Sequence, residues 1–256
     1  MRKFFSFVVL AFLLTFVSGA KAQTVYSDNF QRANENPLTL PWVWFGGYFQ
    51  LSGNVIEPQF GASNGYGGAY MYYGPTATDQ FSQVAVKTAN ANSFVGAVVR
   101  MTNLAGGASG WYELHFYGPF GQGYIYLEKY LSTTGGSYLG YKLVTVNSGD
   151  DIKLTAVGNT LTGYINGVQV IQATDSSFPS GWSGASAYAG NLATDAQISE
   201  WYGGPLSTAP SGGLTFVAVP ANSSAPGTPG QASYDSNYFY LCIAQNTWRR
   251  SPLTVF

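Results

Sequence analysis

Short apolar runs rich in β-branched and aromatic residues recur along this 256-residue chain, and clusters of Gly, Asn, Ser and Pro separate them. Beyond residue 22, no stretch keeps the 3.6-residue periodicity of an amphipathic helix. Short runs broken by turn residues are typical of an all-β sandwich or barrel. We predict strands near residues 25–30, 42–50, 68–73, 80–88, 94–102, 111–117, 123–131, 138–146, 151–157, 160–166, 168–174, 184–189 and 196–202.

Two tight turns are marked within this pattern. Gly158-Asn159 separates the runs DIKLTAV and TLTGYI, and Asn166-Gly167 lies between GYI and VQVIQA. Residue pairs of this kind tolerate the positive φ angles that two-residue hairpin turns require. We therefore predict a β-hairpin at each of the two positions.

The first 22 residues have the features of a secretory signal peptide. MRK supplies a positive start, FFSFVVLAFLLTFV an apolar stretch, and SGAKA the small residues that precede a cleavage site. We predict cleavage after Ala22 and a secreted, extracellular or periplasmic protein with no stable membrane span after cleavage. An uncleaved amino-terminal anchor is the alternative interpretation.

The charge balance and the cysteine content limit the partners and the chemistry. Without Arg2, Lys3 and Lys21, the 11 basic residues fall to 8, against 12 acidic residues. Nucleic acid is not expected as a partner, because phosphate neutralisation needs clustered Lys and Arg. Cys242 is the only cysteine, so the chain has no internal disulfide, and its apolar surroundings YFYLCIA predict a buried thiol.

The composition changes after residue 204. PLSTAPSGG and PANSSAPGTPGQ are rich in Pro, Gly and Ser and bracket one short apolar run. We predict a β-sandwich over residues 23–204, a linker over 205–230 and a small β segment over 231–256. A segment that short cannot bury a self-sufficient core, so we expect it to contact the sandwich, a second copy of the chain or a particle.

The carboxy-terminal segment contains one cluster that combines an aromatic ring with positive charge. Trp248, Arg249 and Arg250 are consecutive, and Trp and Arg are enriched at binding hot spots. We predict these residues as the interaction site for oligomer or particle contact. The alternative is a tryptophan that covers a small core while both arginines remain solvated.

Several runs resemble those of concanavalin A-like (LamG-type) lectin and glucanase domains. The runs SDNFQRANENPL, WVWFGGYFQLSGN, GWYELHFY and GDDIKLTAVGNTLTGYINGVQV carry the resemblance, which covers most of residues 25–204. It implies an all-β fold, an antiparallel β-sandwich of the jelly-roll type with the small β segment appended. The resemblance indicates no single function, because this fold is used by lectins, hydrolases, lyases and adhesion modules.

The same resemblance implies one candidate metal site. Members of this fold often hold a structural Ca²⁺ through Asp, Asn and backbone oxygens. Their first and last strands usually lie side by side, which makes Asp28, Asn29 and Glu200 the candidate ligands. Asp150-Asp151 and Asp175 are the alternatives. No other cofactor is expected.

A second resemblance is confined to the end of the chain. The run VAVPANSSAPGTPGQASYDSNYFYLCIAQNTWRRSPL is similar to a short segment that recurs in bacteriophage tail and other virion proteins. It implies an alternative function, that of a phage-derived structural or adhesion protein associated with a virion.

The run GWYELHFYGPFGQGYIYLEKY, residues 110–130, concentrates polar and aromatic side chains. If its two strands pair with Tyr117 opposite Tyr124, alternation sends the aliphatic residues to the core and the polar and aromatic residues outward or into a groove. We predict this second face as the ligand-binding surface, with the candidate residues Trp111, Glu113, His115, Tyr124, Tyr126, Glu128 and Tyr130.

Two functions compete for this face. Aromatic rings stack on sugar rings and polar groups bind their hydroxyls, which favours non-catalytic, lectin-like recognition of a cell-surface or extracellular glycan or polysaccharide. Directly opposed Glu113 and Glu128, with Cβ atoms about 5 Å apart, also resemble the pair of a retaining glycosidase. A polysaccharide-cleaving hydrolase is therefore a further alternative, although the acidic triplet of laminarinase-type enzymes is absent. If this face binds no ligand, its aromatic residues only support cross-strand packing.

Overall fold

A computed structural model describes residues 25–59, 65–71, 76–103, 108–206 and 215–253. The predicted signal peptide lies outside these residues. The chain divides into two compact units, Met1–Leu206 and Ser207–Phe256. In the part of the chain that is described, helices long and apolar enough to cross a membrane are absent.

The first unit consists of two antiparallel sheets, here called sheet A and sheet B, with strands numbered along the chain. Sheet A has the order β13-β12-β11-β6-β15-β4-β3, and β1 also pairs with β15. Its strands are β1 (Tyr26–Asp28), β3 (Phe49–Ser52), β4 (Val55–Pro58), β6 (Gln80–Ala89), β11 (Asp151–Val157), β12 (Thr160–Ile165), β13 (Val168–Thr174) and β15 (Ala196–Pro205).

Sheet B has seven strands in the order β10-β9-β8-β7-β14-β5-β2. A short 3-10 helix, Ala193–Asp195, follows its strand β14 and precedes β15. The strands are β2 (Trp42–Trp44), β5 (Tyr66–Met71), β7 (Phe94–Asn103), β8 (Ser109–Tyr117), β9 (Gly121–Leu131), β10 (Gly135–Val146) and β14 (Trp182–Tyr188).

The core lies between the two sheets. Sheet B contributes alternate residues of β8, including Leu114 and Phe116, and sheet A contributes residues such as Leu154 and Trp201. These four side chains are fully buried in one cluster. Alternation along each strand therefore gives each sheet one apolar face toward the core. The predicted fold class, an antiparallel jelly-roll sandwich of the concanavalin A-like type, is confirmed.

The strand predictions hold along most of the sequence and fail near its start. The single strand predicted over 42–50 is wrong, because the chain turns at Gly46, whose φ is 67°, and continues as two strands in different sheets. Strand β4 was missed, although Gly53 and Asn54 both have positive φ and form the hairpin turn that precedes it. The hairpins at residues 158–159 and 166–167 are confirmed.

The second unit contains a small four-stranded sheet. Its strands, in the order β16-β17-β18-β19, are β16 (Thr215–Phe216), β17 (Gln231–Tyr234), β18 (Tyr238–Ala244) and β19 (Thr247–Pro252). Its buried cluster consists of Ala225, Cys242 and Trp248. Ala225 lies in the range predicted as a linker, 205–230, but belongs to this buried cluster. Its carbonyl accepts a hydrogen bond from Trp248 Nε1 at 3.1 Å. The predicted burial of Cys242 is confirmed.

The cluster predicted as an interaction site separates into a core residue and two surface residues. Trp248 is buried, so its ring does not form an exposed hot spot. Arg249 and Arg250 are exposed, and the Arg250 guanidinium lies 4.3 Å from the centre of the Tyr238 ring. Alternation along β19 separates Arg249 from Trp248, since neighbouring residues face opposite sides.

One ion-pair cluster ties sheet B to the segment after β13. The Asp175 carboxylate accepts hydrogen bonds from Tyr112 Oη at 2.5 Å and from Lys129 Nζ at 2.9 Å. Burial acts to raise the pKa of Asp175, but the hydrogen bonds from Ser177, Tyr112 and Lys129 outweigh it and hold the pKa well below its ordinary value. The ionised form therefore stabilises the folded chain.

We expect Asp175→Asn to lower the free energy of unfolding at pH 7 by about 1–3 kcal/mol. The pKa is depressed on folding, so the stabilisation is complete above the ordinary value of 3.8 and is lost as the pH falls below it. Urea unfolding at pH 7 and pH 3 tests this, with Glu200→Gln as the control. If the free energies of unfolding of wild type and variant differed equally at pH 7 and pH 3, the charge of Asp175 would not be the source of the difference.

Candidate functional site

The register predicted for residues 110–130 is confirmed. Strand β8 pairs with β9 so that Glu113 lies opposite Glu128, His115 opposite Tyr126 and Tyr117 opposite Tyr124. The register follows from alternation together with the length of the loop between the two strands. It places the predicted ligand-binding residues on one face of sheet B, directed away from the core between the sheets.

A second apolar cluster covers part of this outer face. Phe45, which follows β2, packs on it with Val98, Met101 and Trp111. Glu113 and His115 are also buried, although they lie on the face turned away from the main core. The polar residues are thus at the bottom of a groove rather than on an open surface.

His115 lies between the two opposed glutamates. Its Nδ1 is 3.1 Å from Glu113 Oε1 and 3.9 Å from Glu128 Oε2. The shorter of these contacts does not have the alignment of a hydrogen bond. Both carboxylates therefore approach one imidazole nitrogen.

The environments of the two carboxyl groups shift their pKa values in opposite directions. Burial acts to raise the pKa of Glu113, but neighbouring polar groups, His115 foremost, outweigh burial and lower it. Burial raises the pKa of Glu128, and the negative charge of Glu113 raises it further. The pair therefore combines an ionised carboxylate with a carboxyl group that keeps its proton to higher pH.

Trp111 positions Glu113 and does not offer a ring face to a ligand. Its Nε1 donates a hydrogen bond to Glu113 Oε2 at 3.1 Å. The Tyr130 ring stacks on it with a centroid distance of 4.4 Å, and Phe45 lies at 4.6 Å. The expectation that Trp111 forms part of a sugar-stacking floor is therefore wrong, because other rings cover its surface.

Two cavities adjoin on this face and together form what we call the groove. The larger, of about 770 Å³, extends from Trp44 past Trp111 to Glu128. The smaller, of about 330 Å³, includes His115, Tyr126 and Glu128. Both are lined by Phe94 and Glu128, so the carboxyl group of Glu128 lies where they meet.

Two hydroxyl groups near the carboxylates are buried and make no hydrogen bond. They are Tyr66 Oη on β5 and Ser186 Oγ on β14. Ser186 lies close enough to Glu113 to contribute to the lowering of its pKa, and burial followed by the charge of Glu113 raises the pKa of Tyr66. Buried polar groups of this kind normally have a partner, and a bound ligand would supply one.

A set of exposed tyrosines extends the groove toward the edge of sheet B. Tyr138 and Tyr141 on β10 lie opposite Glu128 and Tyr126, and the Tyr126 ring is 5.0 Å from the Tyr138 ring and 5.8 Å from the Tyr141 ring. Sequence reasoning missed both β10 residues. A β-bulge between Tyr138 and Gly140 places side chains three residues apart on one face, which strict alternation does not predict.

A glycine on β10 makes room for the Glu128 side chain. A Cβ atom on Gly136 would lie 1.3 Å from Glu128 Oε1. Gly136 therefore permits the carboxyl group to occupy its place over the strand. The glycine pair 135–136 was visible in the sequence, but its role depends on the pairing of β10 with β9.

The residues predicted to hold calcium do not converge. Strand β1 does pair with β15, with Asp28 opposite Trp201, but alternation puts Glu200 on the other face. Both carboxylate oxygens of Asp28 accept hydrogen bonds from the Arg32 guanidinium. Asn29 Oδ1 accepts one from the backbone N–H of Gln31. Among the described residues, groups of three or more His, Cys, Asp and Glu side chains suited to a metal ion are absent, so these residues do not fit the ion.

Comparison with known proteins yields a short sequence match and a broader similarity of fold. No family model matches the chain. A stretch of 40 residues, 16% of this chain, is 45% identical to depolymerase 1 of Klebsiella phage K5-2, described as capsule K30/K69-specific, and covers only 5% of that protein.

Solved structures of low sequence identity share the architecture. Carbohydrate-binding module CBM66 of Bacillus subtilis is 15% identical, with 62% of this chain and 91% of the module aligned and a TM-score of 0.47. The β-glucanase of Bacillus licheniformis is 13% identical, with 73% and 100% aligned and a TM-score of 0.47. A Bacillus subtilis protein of unknown function with a galectin-like fold is 10% identical, with 70% and 94% aligned and a TM-score of 0.49. The similarity is one of fold.

Proposed function

We propose that the first unit binds a glycan in the groove of sheet B. The observation that carries the proposal is the arrangement of exposed tyrosine rings beside buried polar groups that lack partners. The exposed rings include Tyr138 and Tyr141, and the buried hydroxyl groups belong to Tyr66 and Ser186. Sugar rings present apolar faces to aromatic side chains and hydroxyls to polar ones, so both features suit one ligand.

The shape of the groove supports a ligand of several sugar units. The two cavities lie on either side of Glu128, and the tyrosines of β9 and β10 continue beyond them toward the sheet edge. Trp44, which is half exposed, borders the opposite end. A polysaccharide or oligosaccharide would contact aromatic groups along this length while its hydroxyls reach the carboxylates below.

We place this glycan outside the cell, on a cell surface, in an extracellular polysaccharide or on a target of a virion. The signal-like amino terminus and the 40-residue match to a phage depolymerase support such a setting. Phage-derived adhesion through the second unit is compatible with glycan binding by the first. Deleting the second unit, residues 207–256, would abolish self-association in that case and leave glycan binding intact.

Cleavage of the bound glycan is a second candidate function. It is favoured by the opposite pKa shifts of Glu113 and Glu128, which lie directly across from each other. Retaining glycosidases use one ionised and one protonated carboxyl group in this manner. Here Glu113 would be the nucleophile and Glu128 the general acid.

We expect Tyr138→Ala and Tyr141→Ala each to weaken glycan binding by about 10-fold, because each removes one stacking ring worth about 1.5 kcal/mol at most. A glycan array followed by calorimetric titration of the best ligand measures the effect. Tyr234→Ala is the matched control, since Tyr234 is 65% exposed, as is Tyr141, but belongs to the second unit. Equal affinities for the three variants would contradict the proposed platform.

A further inference from the structure

The groove contains negative charge without a balancing Lys or Arg. Glu113 and Glu128 are the acidic residues that line its two cavities, and His115 is the basic one. The described lining residues include neither lysine nor arginine. A ligand with its own carboxylate or sulfate groups would therefore meet like charge at the bottom of the groove.

Two positive side chains on the strands of sheet B, Lys129 and Arg100, are engaged elsewhere. Lys129 neighbours Glu128 in sequence, but alternation turns it to the opposite face, where its Nζ lies 2.9 Å from Asp175. Arg100 on β7 is buried, and its guanidinium donates hydrogen bonds to backbone carbonyl oxygens. Neither side chain is placed to neutralise an anionic ligand in the groove.

The buried groups of the groove match hydroxyls better than anions. A sugar hydroxyl both donates and accepts a hydrogen bond, so it can donate to a carboxylate and accept at the same time from Tyr66 Oη, which lines the larger cavity. An anionic group can only accept. It would satisfy the Tyr66 hydroxyl group while lying beside the Glu113 carboxylate, whose repulsion is strong in a buried setting.

We infer that the groove selects uncharged glycans and rejects polyanionic ones, with Glu113 and Glu128 as the residues that determine this specificity. The inference rests on the proposed glycan-binding function and specifies its ligand class. Rejection arises from like charge, so it is a property of two identified side chains and can be altered separately from the stacking rings.

The test compares one polymer in three chemical forms, of which only one is charged. The uncharged hexose polysaccharide that binds best to the full chain is oxidised at its C6 hydroxymethyl groups to give uronates, and a portion is then methyl-esterified to restore neutrality. We expect the oxidised polymer to bind at least about 100-fold more weakly, and the methyl ester to recover most of the affinity. Affinity electrophoresis or calorimetric titration measures all three.

A variant assigns the rejection to the carboxylates. In Glu113→Gln, we expect the affinity ratio between the uncharged and the oxidised polymer to fall to about 10-fold or less, because the principal buried negative charge is removed. Circular dichroism verifies that this variant folds. An unchanged ratio in the folded variant would overturn the assignment.

The remaining outcomes separate the inference from the function on which it rests. Equal binding of the three polymers, or binding of native polyuronates and sulfated glycans only, would overturn the inference and leave glycan binding intact. Absence of binding to every charged and uncharged polysaccharide would overturn the proposed function itself.

Discussion

Replacing Trp42 with alanine is expected to lower the free energy of unfolding of the first unit by about 3–5 kcal/mol. Trp42 is only 2% exposed, and its ring lies 4.9 Å from that of Trp201. Its Nε1 also donates a hydrogen bond to Asp28 Oδ2 at 2.8 Å. The substitution therefore creates a cavity at the core and removes a donor from a largely buried carboxylate.

The next tryptophan in the chain provides the control. Trp44 is 51% exposed, so Trp44→Ala should change the free energy of unfolding by less than about 0.5 kcal/mol. Trp42→Phe keeps most of the packing but loses the hydrogen bond to Asp28, so its effect should fall between the two. Urea unfolding of the full chain, followed by near-ultraviolet circular dichroism, measures all three variants. Equal losses for Trp42→Ala and Trp44→Ala would contradict the burial on which this expectation rests.

The parts of the structure that follow from local rules were predictable from sequence. Alternation and a loop of fixed length determine the register of β8 and β9, and the same rules place Leu114 and Phe116 in the core and Glu113 and His115 on the other face. Asn166-Gly167 determines a turn in the same local manner. These rules concern neighbours along the chain, which is why they suffice without knowledge of distant contacts.

Other parts depend on contacts between segments far apart in sequence. Tyr66 on β5 lines the groove and Ser186 on β14 lies beside Glu113 only because β14 pairs with both β7 and β5. Tyr138 and Tyr141 share a face only because β10 contains a bulge. Neither the order of strands in a sheet nor the position of a bulge is determined by the local pattern.

Burial explains why the same side chains look different in sequence and in structure. The sequence places Trp111 among the residues suited to sugar stacking, but Phe45 arrives from another strand and covers it. The covered Trp111 donates a hydrogen bond to Glu113, which is itself buried, and burial strengthens the effect of hydrogen bonds and charges on the pKa of this carboxyl group. The packing that removes one stacking ring thus creates the polar centre of the groove.

The last prediction concerns that polar centre. If the groove cleaves its glycan, Glu128→Gln is expected to reduce the cleavage rate by about 10²–10⁴-fold, which is the usual contribution of a general acid. Binding should change little, because the amide keeps the shape of the carboxyl group. Release of reducing sugars from the best-bound polysaccharide measures cleavage, and titration of the same polymer measures binding.

Two further results, with one control, would assign the role of general acid to Glu128. Aryl glycosides with acidic phenol leaving groups need little protonation, so their cleavage should fall much less in Glu128→Gln than cleavage of the polysaccharide. Gly136→Ala should reduce cleavage although both glutamates are kept. The added Cβ would lie 1.3 Å from Glu128 Oε1, so it would displace the Glu128 carboxyl group. Ser137→Ala, on the neighbouring residue and the opposite face of β10, is the matched control.

The pH profile gives the sign of the effect. The pKa of Glu128 is raised by burial and by the charge of Glu113, so cleavage should persist above the ordinary glutamate value of 4.5 and fall as the pH rises through the raised value. The lowered pKa of Glu113 keeps the nucleophile ionised across that range. Full cleavage by Glu128→Gln would contradict the assignment of Glu128 as the general acid. A wild-type protein that binds its glycan and releases no product would assign the groove to binding alone.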